Sequence, residues 1–226
     1  MINPATIPSQ MKDSVGDGRW ISQHERFLDD CKRHEPNIVF IGDCLIQQMQ
    51  NSTIWKTNLE PLHCLNFGID DDQTQHVLWR IKNGELDFEN KPKIVVLLVG
   101  TNNNDHTADQ VAEGIITIVA SVREKLPQSH IIILAIPPRG RDINSVREKI
   151  NRVNDTVEQS LKNGTITDKR IHFLCSSKVH EFISPQDGTI SHTDMYDYLH
   201  FTDQGYFKLM EPVLDEIIEI LSLYDS

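Results

Sequence analysis

Five short, uninterrupted apolar segments constrain the fold of this chain more than any other feature. They are predicted strands at 37–42, 62–68, 94–100, 130–136 and 171–175. Because apolar residues do not alternate with polar ones in them, both faces of each strand are predicted to be buried. Segments with the apolar spacing of helices lie between and after them, at 21–33, 45–49, 74–82, 107–124, 145–161 and 204–223. This alternation predicts one doubly wound α/β domain with a parallel sheet.

Composition excludes several other classes of protein. The 226 residues include 22 Lys and Arg against 33 Asp and Glu, a formal net charge of −11, which argues against a nucleic-acid-binding groove. The longest apolar runs, such as Ile94–Val99, are far shorter than the ~20 residues of a transmembrane helix. No linker or repeat divides the chain, so residues 1–226 are interpreted as a single domain in which residues 1–17, which are polar and contain two prolines, form an N-terminal arm.

The N-terminal residues and the cysteines indicate the compartment. Residues 1–8 contain neither a basic nor a long apolar stretch, so we expect no signal peptide. The four cysteines are widely spaced and form no Cys-x-x-Cys pair, which argues against a disulfide framework and against structural zinc; they are Cys31, Cys44, Cys64 and Cys175. We therefore expect a cytoplasmic protein with reduced thiols, with no cofactor and no bound metal.

The loops that follow the strands carry the candidate chemistry. In a doubly wound sheet, the functional site lies beyond the carboxyl ends of the strands. The segments found there, and before the last helix, are Gly42-Asp43-Cys44-Leu45, Asn66-Phe67-Gly68-Ile69-Asp70-Asp71-Asp72, Gly100-Thr101-Asn102-Asn103 and Asp197-Tyr198-Leu199-His200. Each segment alone is a weak signal, but their order and their positions after successive strands make the set specific.

This set of segments resembles the SGNH (GDSL-type) hydrolase superfamily. The resemblance implies a flavodoxin-like three-layer α/β/α fold with a central parallel five-stranded sheet. It also implies that Cys44 stands at the position of the nucleophilic serine, and that Asp197 and His200 complete a catalytic triad. The oxyanion-hole positions would be Cys44, Asp71 and Asn102.

Residues around these segments narrow the resemblance to the catalytic α-subunits of type Ib intracellular platelet-activating factor acetylhydrolases. The matching stretches include Gly18-Arg19-Trp20, His76-Val77-Leu78-Trp79-Arg80, Asn83-Gly84-Glu85-Leu86 and Asp187-Gly188-Thr189-Ile190-Ser191. The resemblance implies a homodimer that associates with a WD-repeat β-subunit, the lissencephaly-type regulator of dynein. It also implies a lipid or short acyl-ester substrate if the chain is active.

Two departures from the family pattern bear on activity. Cys44 replaces the serine, and Asp70-Asp71-Asp72 replaces a Gly-Gly-Asp block, so that Asp71 falls on the glycine whose N–H donates to the oxyanion. Negative charge disfavours a thiolate and repels a developing oxyanion. We therefore expect a catalytically impaired or inactive hydrolase that acts through its partners. The alternative is an active acetylhydrolase with a cysteine nucleophile.

The acidic run has two other interpretations. As a cation site, it lacks the alternating spacing and the distal glutamate of a calcium loop. We therefore expect Asp70–Asp72 to be a solvated acidic loop beside the pocket. The three remaining cysteines are expected to be core residues.

Overall fold

The computed structural model describes residues 2–163, 167–175 and 177–224. Five parallel strands form one sheet in the order β2-β1-β3-β4-β5. The strands are β1 (Ile38–Gly42), β2 (Cys64–Gly68), β3 (Ile94–Leu98), β4 (His130–Leu134) and β5 (Ile171–Leu174). The three-layer α/β/α fold predicted from the sequence is confirmed, and each predicted strand is present with slightly tighter bounds.

Helices cover both faces of this sheet. They are α1 (Arg19–Arg33), α2 (Cys44–Met49), α3 (Thr74–Lys82), α4 (Ala108–Lys125), α5 (Ser145–Lys162) and α6 (Asp203–Ser222). Shorter turns lie at Pro4–Thr6, Glu60–Leu62 and Lys178–Phe182 (3-10) and at Trp55–Leu59 (π). None of the described helices is long and apolar enough to cross a membrane.

The core is divided into two layers by the sheet. Along β1, Val39 and Ile41 pack into the layer beneath α1, α3, α4 and α5. The alternate residues Ile38 and Phe40 pack into the layer beneath α2 and α6. Every residue of β1 is buried, which is why the strand carries no polar alternation.

The strand order reverses between β1 and β3. The chain runs from β1 outward to β2, then returns past β1 to β3 and continues through β4 to β5. Loops that leave β1 and β3 therefore separate at their carboxyl ends and open a crevice, the usual binding position in this type of sheet. Cys44 follows β1 and Asn102 follows β3, so the two residues lie on opposite sides of this crevice.

The N-terminal segment is anchored to the domain from residue 3 onward. The Asn3 side chain donates to the carbonyl of Gln110 in α4 at 2.9 Å, and Ala5 is fully buried. The carbonyl of Ala5 accepts a hydrogen bond from the Thr74 hydroxyl at 3.0 Å. Part of the predicted arm is thus packed between α3 and α4, while Met1 lies outside the described residues.

A fully buried arginine joins the ends of β1 and β2. The Arg80 guanidinium donates to the carbonyls of Gly42 and Phe67, each at 3.1 Å. It also forms ion pairs with Asp72 at 2.8 Å and with Glu85 at 2.5 Å, all three side chains being inaccessible to solvent. Arg80 therefore fixes two strand ends and the loop that contains Asp72 with a single side chain.

Two residues of α1 complete this network. The Trp20 indole donates to Asp72 at 2.7 Å, and His24 lies 2.8 Å from Glu85. Each buried carboxylate thus has two partners, as buried charges require.

We predict that Arg80→Met strongly destabilises the protein. The substitution leaves Asp72 and Glu85 without their buried counter-ion, which costs about 3–5 kcal/mol of unfolding free energy. Chemical denaturation measures this change. The matched control is Arg152→Met, because Arg152 is an exposed arginine 3.9 Å from Asp109, and exposed pairs contribute about 1 kcal/mol or less. Equal effects of the two substitutions would contradict the role given to Arg80.

Candidate active site

Cys44 begins helix α2 immediately after β1. Its predecessor, Asp43, is the N-cap, and one carboxylate oxygen of Asp43 accepts a hydrogen bond from the Leu45 N–H at 3.0 Å. Cys44 itself is only 2% exposed. The side chain is therefore buried at the carboxyl end of β1 and not on the surface.

Close packing against β2 sets the position of α2. A Cβ at Gly68 would lie 2.1 Å from the Gln47 nitrogen, so the helix backbone rests directly on this glycine. The Asn66 side chain donates to the Ile46 carbonyl at 2.6 Å. These contacts leave no room for a side chain at Gly68 and hold Cys44 in place.

Asp197 and His200 form a hydrogen-bonded pair in the turn before α6. His200 Nδ1 lies 2.6 Å from one carboxylate oxygen of Asp197. The other oxygen accepts the backbone N–H groups of Leu199 at 3.1 Å and His200 at 2.7 Å. Partial burial opposes ionisation of Asp197, but these hydrogen bonds outweigh it and lower its pKa. The pair thus orients the imidazole with Nε2 directed away from Asp197.

His200 Nε2 has no hydrogen-bond partner among the described residues, although the atom is buried. A ring nitrogen of His200, Cys44 Sγ and a carboxylate oxygen of Asp70 all lie within 4.8 Å of one another. No hydrogen bond joins Cys44 to His200 in this arrangement. The structure thus brings Cys44, His200 and Asp70 close together. It does not show the hydrogen bond between cysteine and histidine through which a proton would be transferred.

Asn102 reaches the same point from the other side of the crevice. Its side-chain nitrogen lies 3.9 Å from Cys44 Sγ and donates to the Asp72 carbonyl at 3.1 Å. Asn102, which the resemblance assigns to the oxyanion hole, therefore directs its side-chain amide nitrogen at the cysteine. The hydrogen bond to the Asp72 carbonyl holds the Asn102 side chain in this position.

In the acidic loop, Asp70–Asp72, the backbone of Asp71 has a conformation that is usual for glycine. Its φ is 59°, in the left-handed region that aspartate tolerates better than most residues. The Asp71 N–H, which the resemblance assigns to the oxyanion hole, donates instead to the Asp70 carboxylate at 3.1 Å. A carboxylate thus binds the donor that an oxyanion would use.

The loop differs from the sequence expectation in two respects. The prediction of a solvated loop is wrong for Asp72, which is fully buried by Trp20 and Arg80, although Asp70 and Asp71 are exposed. Asp70 was not predicted as a site residue, yet its carboxylate lies beside Cys44. The sequence feature that could have indicated Asp70 as a site residue is its position next to Asp71 in the loop that follows β2.

The surroundings of Cys44 favour the neutral thiol. Burial raises the pKa of Cys44 far above its ordinary value, and the charges of Asp43, Asp70 and Asp71 raise it further. The hydrogen bond from Asn102 opposes this only in part. Burial likewise raises the pKa of Asp43 to about 7, with a contribution from the charge of Asp70. The site therefore disfavours additional negative charge.

Comparison with known proteins places this arrangement in a family. Residues 13–207 match the model of the GDSL-like lipase/acylhydrolase family. The chain belongs to this family. It is 48% identical over 222 residues to platelet-activating factor acetylhydrolase IB subunit alpha1 of Bos taurus, covering 97% of this chain and 91% of the relative.

A second relative agrees with the family membership, and a solved structure shows the same fold. The platelet-activating factor acetylhydrolase IB subunit beta homolog of Drosophila melanogaster is 42% identical, over 98% of this chain and 95% of its own. A crystal structure of a GDSL-like lipase from Bacteroides thetaiotaomicron superposes with a TM-score of 0.68 at 15% identity, covering 85% of this chain and 97% of the other. The resemblance found in the sequence is confirmed, and the fold is that of this family of hydrolases.

We predict that Cys44 reacts slowly with iodoacetamide at neutral pH, because the thiolate is the reactive form and burial and nearby carboxylates suppress it. Labelling of the Cys44 peptide, followed by mass spectrometry in buffer with chelator, is expected to be at least ~100-fold slower than that of a free cysteine peptide. Asp70→Gly/Asp71→Gly should accelerate it and leave labelling of Cys64 unchanged. Rapid labelling that depends on His200 would contradict this prediction.

Proposed function

We propose that this chain is a catalytically impaired α-type subunit related to the platelet-activating factor acetylhydrolase Ib subunits, and that it acts in the cytoplasm mainly as a dimeric binding partner of a WD-repeat β-subunit. The observation that carries the loss of activity is the Asp70 carboxylate, which accepts the Asp71 N–H and lies within 4.8 Å of Cys44 Sγ. Ester hydrolysis develops negative charge on the substrate oxygen at this point. A carboxylate there repels that charge and competes for one of its donors.

The binding role is supported by the relatives and by the ordered framework of the domain. The relatives that match nearly the whole chain are named as subunits, which suggests that this chain also works within a complex. The departures from the family motif at Cys44, Asp70 and Asp71 stand in a domain whose buried Arg80 network and close packing of α2 on Gly68 are complete. The chain can therefore present a well-defined folded surface to a partner even if hydrolysis is lost.

An active acetylhydrolase is the second candidate, with platelet-activating factor or a similar short-chain acyl ester as substrate. It is favoured by the 2.6 Å contact between His200 and Asp197, which orients the imidazole as a general base requires. A cysteine can serve as the nucleophile in such a pair once its proton is removed. The two candidates differ in whether the purified chain turns over.

We predict low acetyl-ester hydrolysis by the wild-type chain and a gain in the variant Cys44→Ser/Asp70→Gly/Asp71→Gly. Loss of one oxyanion donor lowers kcat by about a hundred- to a thousand-fold, so restoring the donor should raise kcat by at least ~100-fold. Release of acetate from platelet-activating factor and from a chromogenic acetate measures both proteins. The bovine relative serves as the reference enzyme, and Cys44→Ser alone as the matched control that keeps the carboxylates. Wild-type turnover within about tenfold of the reference would overturn the loss of activity.

We predict that the chain co-purifies with the WD-repeat β-subunit and that Cys44→Ala leaves this association unchanged, because the cysteine is buried in the crevice. Analytical ultracentrifugation of the two purified proteins measures both dimerisation and the complex. Absence of a complex at micromolar concentrations would contradict the binding role.

A further inference from the structure

We propose that Cys44, Asp70 and His200 form a zinc-binding site. The three side chains come from separate parts of the chain: the start of α2, the loop after β2 and the turn before α6. Their ligand atoms, one sulfur, one carboxylate oxygen and one imidazole nitrogen, all lie within 4.8 Å of one another. Two of the three ligands, Cys44 and Asp70, are the residues that depart from the serine and glycine of the family pattern.

The separations fit a tetrahedral ion after a small adjustment. Zinc bonds of about 2.3 Å to sulfur and 2.0–2.2 Å to nitrogen and oxygen place ligand atoms roughly 3.5 Å apart. The present separations, none above 4.8 Å, therefore need to shrink by at most about 1.3 Å. Asp70 is the exposed member, so its side chain can rotate towards the buried Cys44 and the half-buried His200.

The histidine is already arranged as a metal ligand. Asp197 engages Nδ1 at 2.6 Å, which leaves Nε2 buried and without a partner among the described residues. A carboxylate that holds the remote ring nitrogen is the usual support of a zinc-bound histidine, because it fixes the ring orientation and raises the basicity of the other nitrogen. Coordination would satisfy a buried atom that the protein otherwise leaves unpaired.

The charge of the site points in the same direction. An oxygen of the exposed Asp70 carboxylate lies within 4.8 Å of Cys44 Sγ, and the exposed carboxylate of Asp71 follows it in the same loop. These charges oppose an anion but favour a divalent cation. On coordination, Cys44 releases its thiol proton to solvent as the zinc–sulfur bond forms, so the bound ion replaces a proton at the sulfur.

The ligand types select among metals. Thiolate and imidazole ligands favour zinc over magnesium or calcium, which prefer oxygen-only sites. Three protein ligands leave a fourth position for water. The sequence contains no zinc motif, because the ligands are separated by 26 and 130 positions, 44 to 70 and 70 to 200.

The test uses the full chain, stripped of metal with chelator and titrated with Co²⁺ and then with Zn²⁺. Co²⁺ should produce a cobalt–thiolate charge-transfer band with one equivalent per chain, and Zn²⁺ should displace it. Cys44→Ser should abolish the band, and serine is the residue that the family motif carries there. Asp70→Asn and His200→Gln should each weaken Zn²⁺ binding at least ~100-fold, and Asp197→Asn about 10–100-fold.

Cys64→Ser is the matched control. Cys64 is a free, half-buried cysteine at the start of β2, the opposite end of that strand from the acidic loop, and it has His63 beside it. This control should leave the band and the zinc affinity unchanged. Circular dichroism checks that each variant is folded.

The proposal is overturned if the wild-type chain gives no band, if the band survives Cys44→Ser, or if Asp70→Asn binds Zn²⁺ as tightly as the wild type. Loss of the band in Cys64→Ser alone would place the ion elsewhere and also overturn it. No ester substrate is used, so failure of this test leaves the proposed loss of hydrolysis standing, and the converse also holds.

Discussion

The buried pairing of Arg80 with Asp72 is the interaction on which the rest of the site depends. Through the same guanidinium, Arg80 also binds the carbonyl of Gly42 at the end of β1 and that of Phe67 one residue before the end of β2. The carbonyl of Asp72 then positions Asn102 over Cys44. One buried charge pair therefore holds both sides of the crevice.

Because this framework is separate from the reacting groups, the chemistry of the crevice can change while its shape is kept. A serine hydrolase needs hydrogen-bond donors and a neutral nucleophile where an oxyanion will form. Here the Asp70 carboxylate accepts the Asp71 N–H and places negative charge within 4.8 Å of the thiol sulfur. A carboxylate that disfavours an oxyanion favours a cation, so the proposed loss of hydrolysis and the proposed zinc site have the same electrostatic basis.

The fold and the proximity of Asp197 to His200 could be predicted from sequence because their signals are local. Apolar strands such as Ile94–Leu98 are continuous in the chain, and the turn that pairs Asp197 with His200 spans three residues. The burial of Asp72 could not be predicted in this way. Its donor Trp20 lies 52 positions away in α1, and only the packed structure shows that this indole and the Arg80 guanidinium of α3 meet at the same carboxylate.

Asp70 illustrates a different limit. Sequence places it beside the oxyanion position but does not say which of two neighbouring aspartates directs its carboxylate at the cysteine. That choice follows from the left-handed backbone at Asp71, whose N–H meets the Asp70 side chain. The clustering of Asp70 with Cys44 and His200 is likewise a property of the fold, because the three ligands come from distant segments.

A crystal structure of the zinc-soaked protein, with anomalous scattering recorded on both sides of the zinc edge, shows whether the crevice accepts a cation where an oxyanion would form in a hydrolase. We expect one strong anomalous peak about 2.0–2.3 Å from Cys44 Sγ, His200 Nε2 and an Asp70 oxygen. An empty crevice at saturating zinc, with Asp70 still bound to the Asp71 N–H, would contradict it.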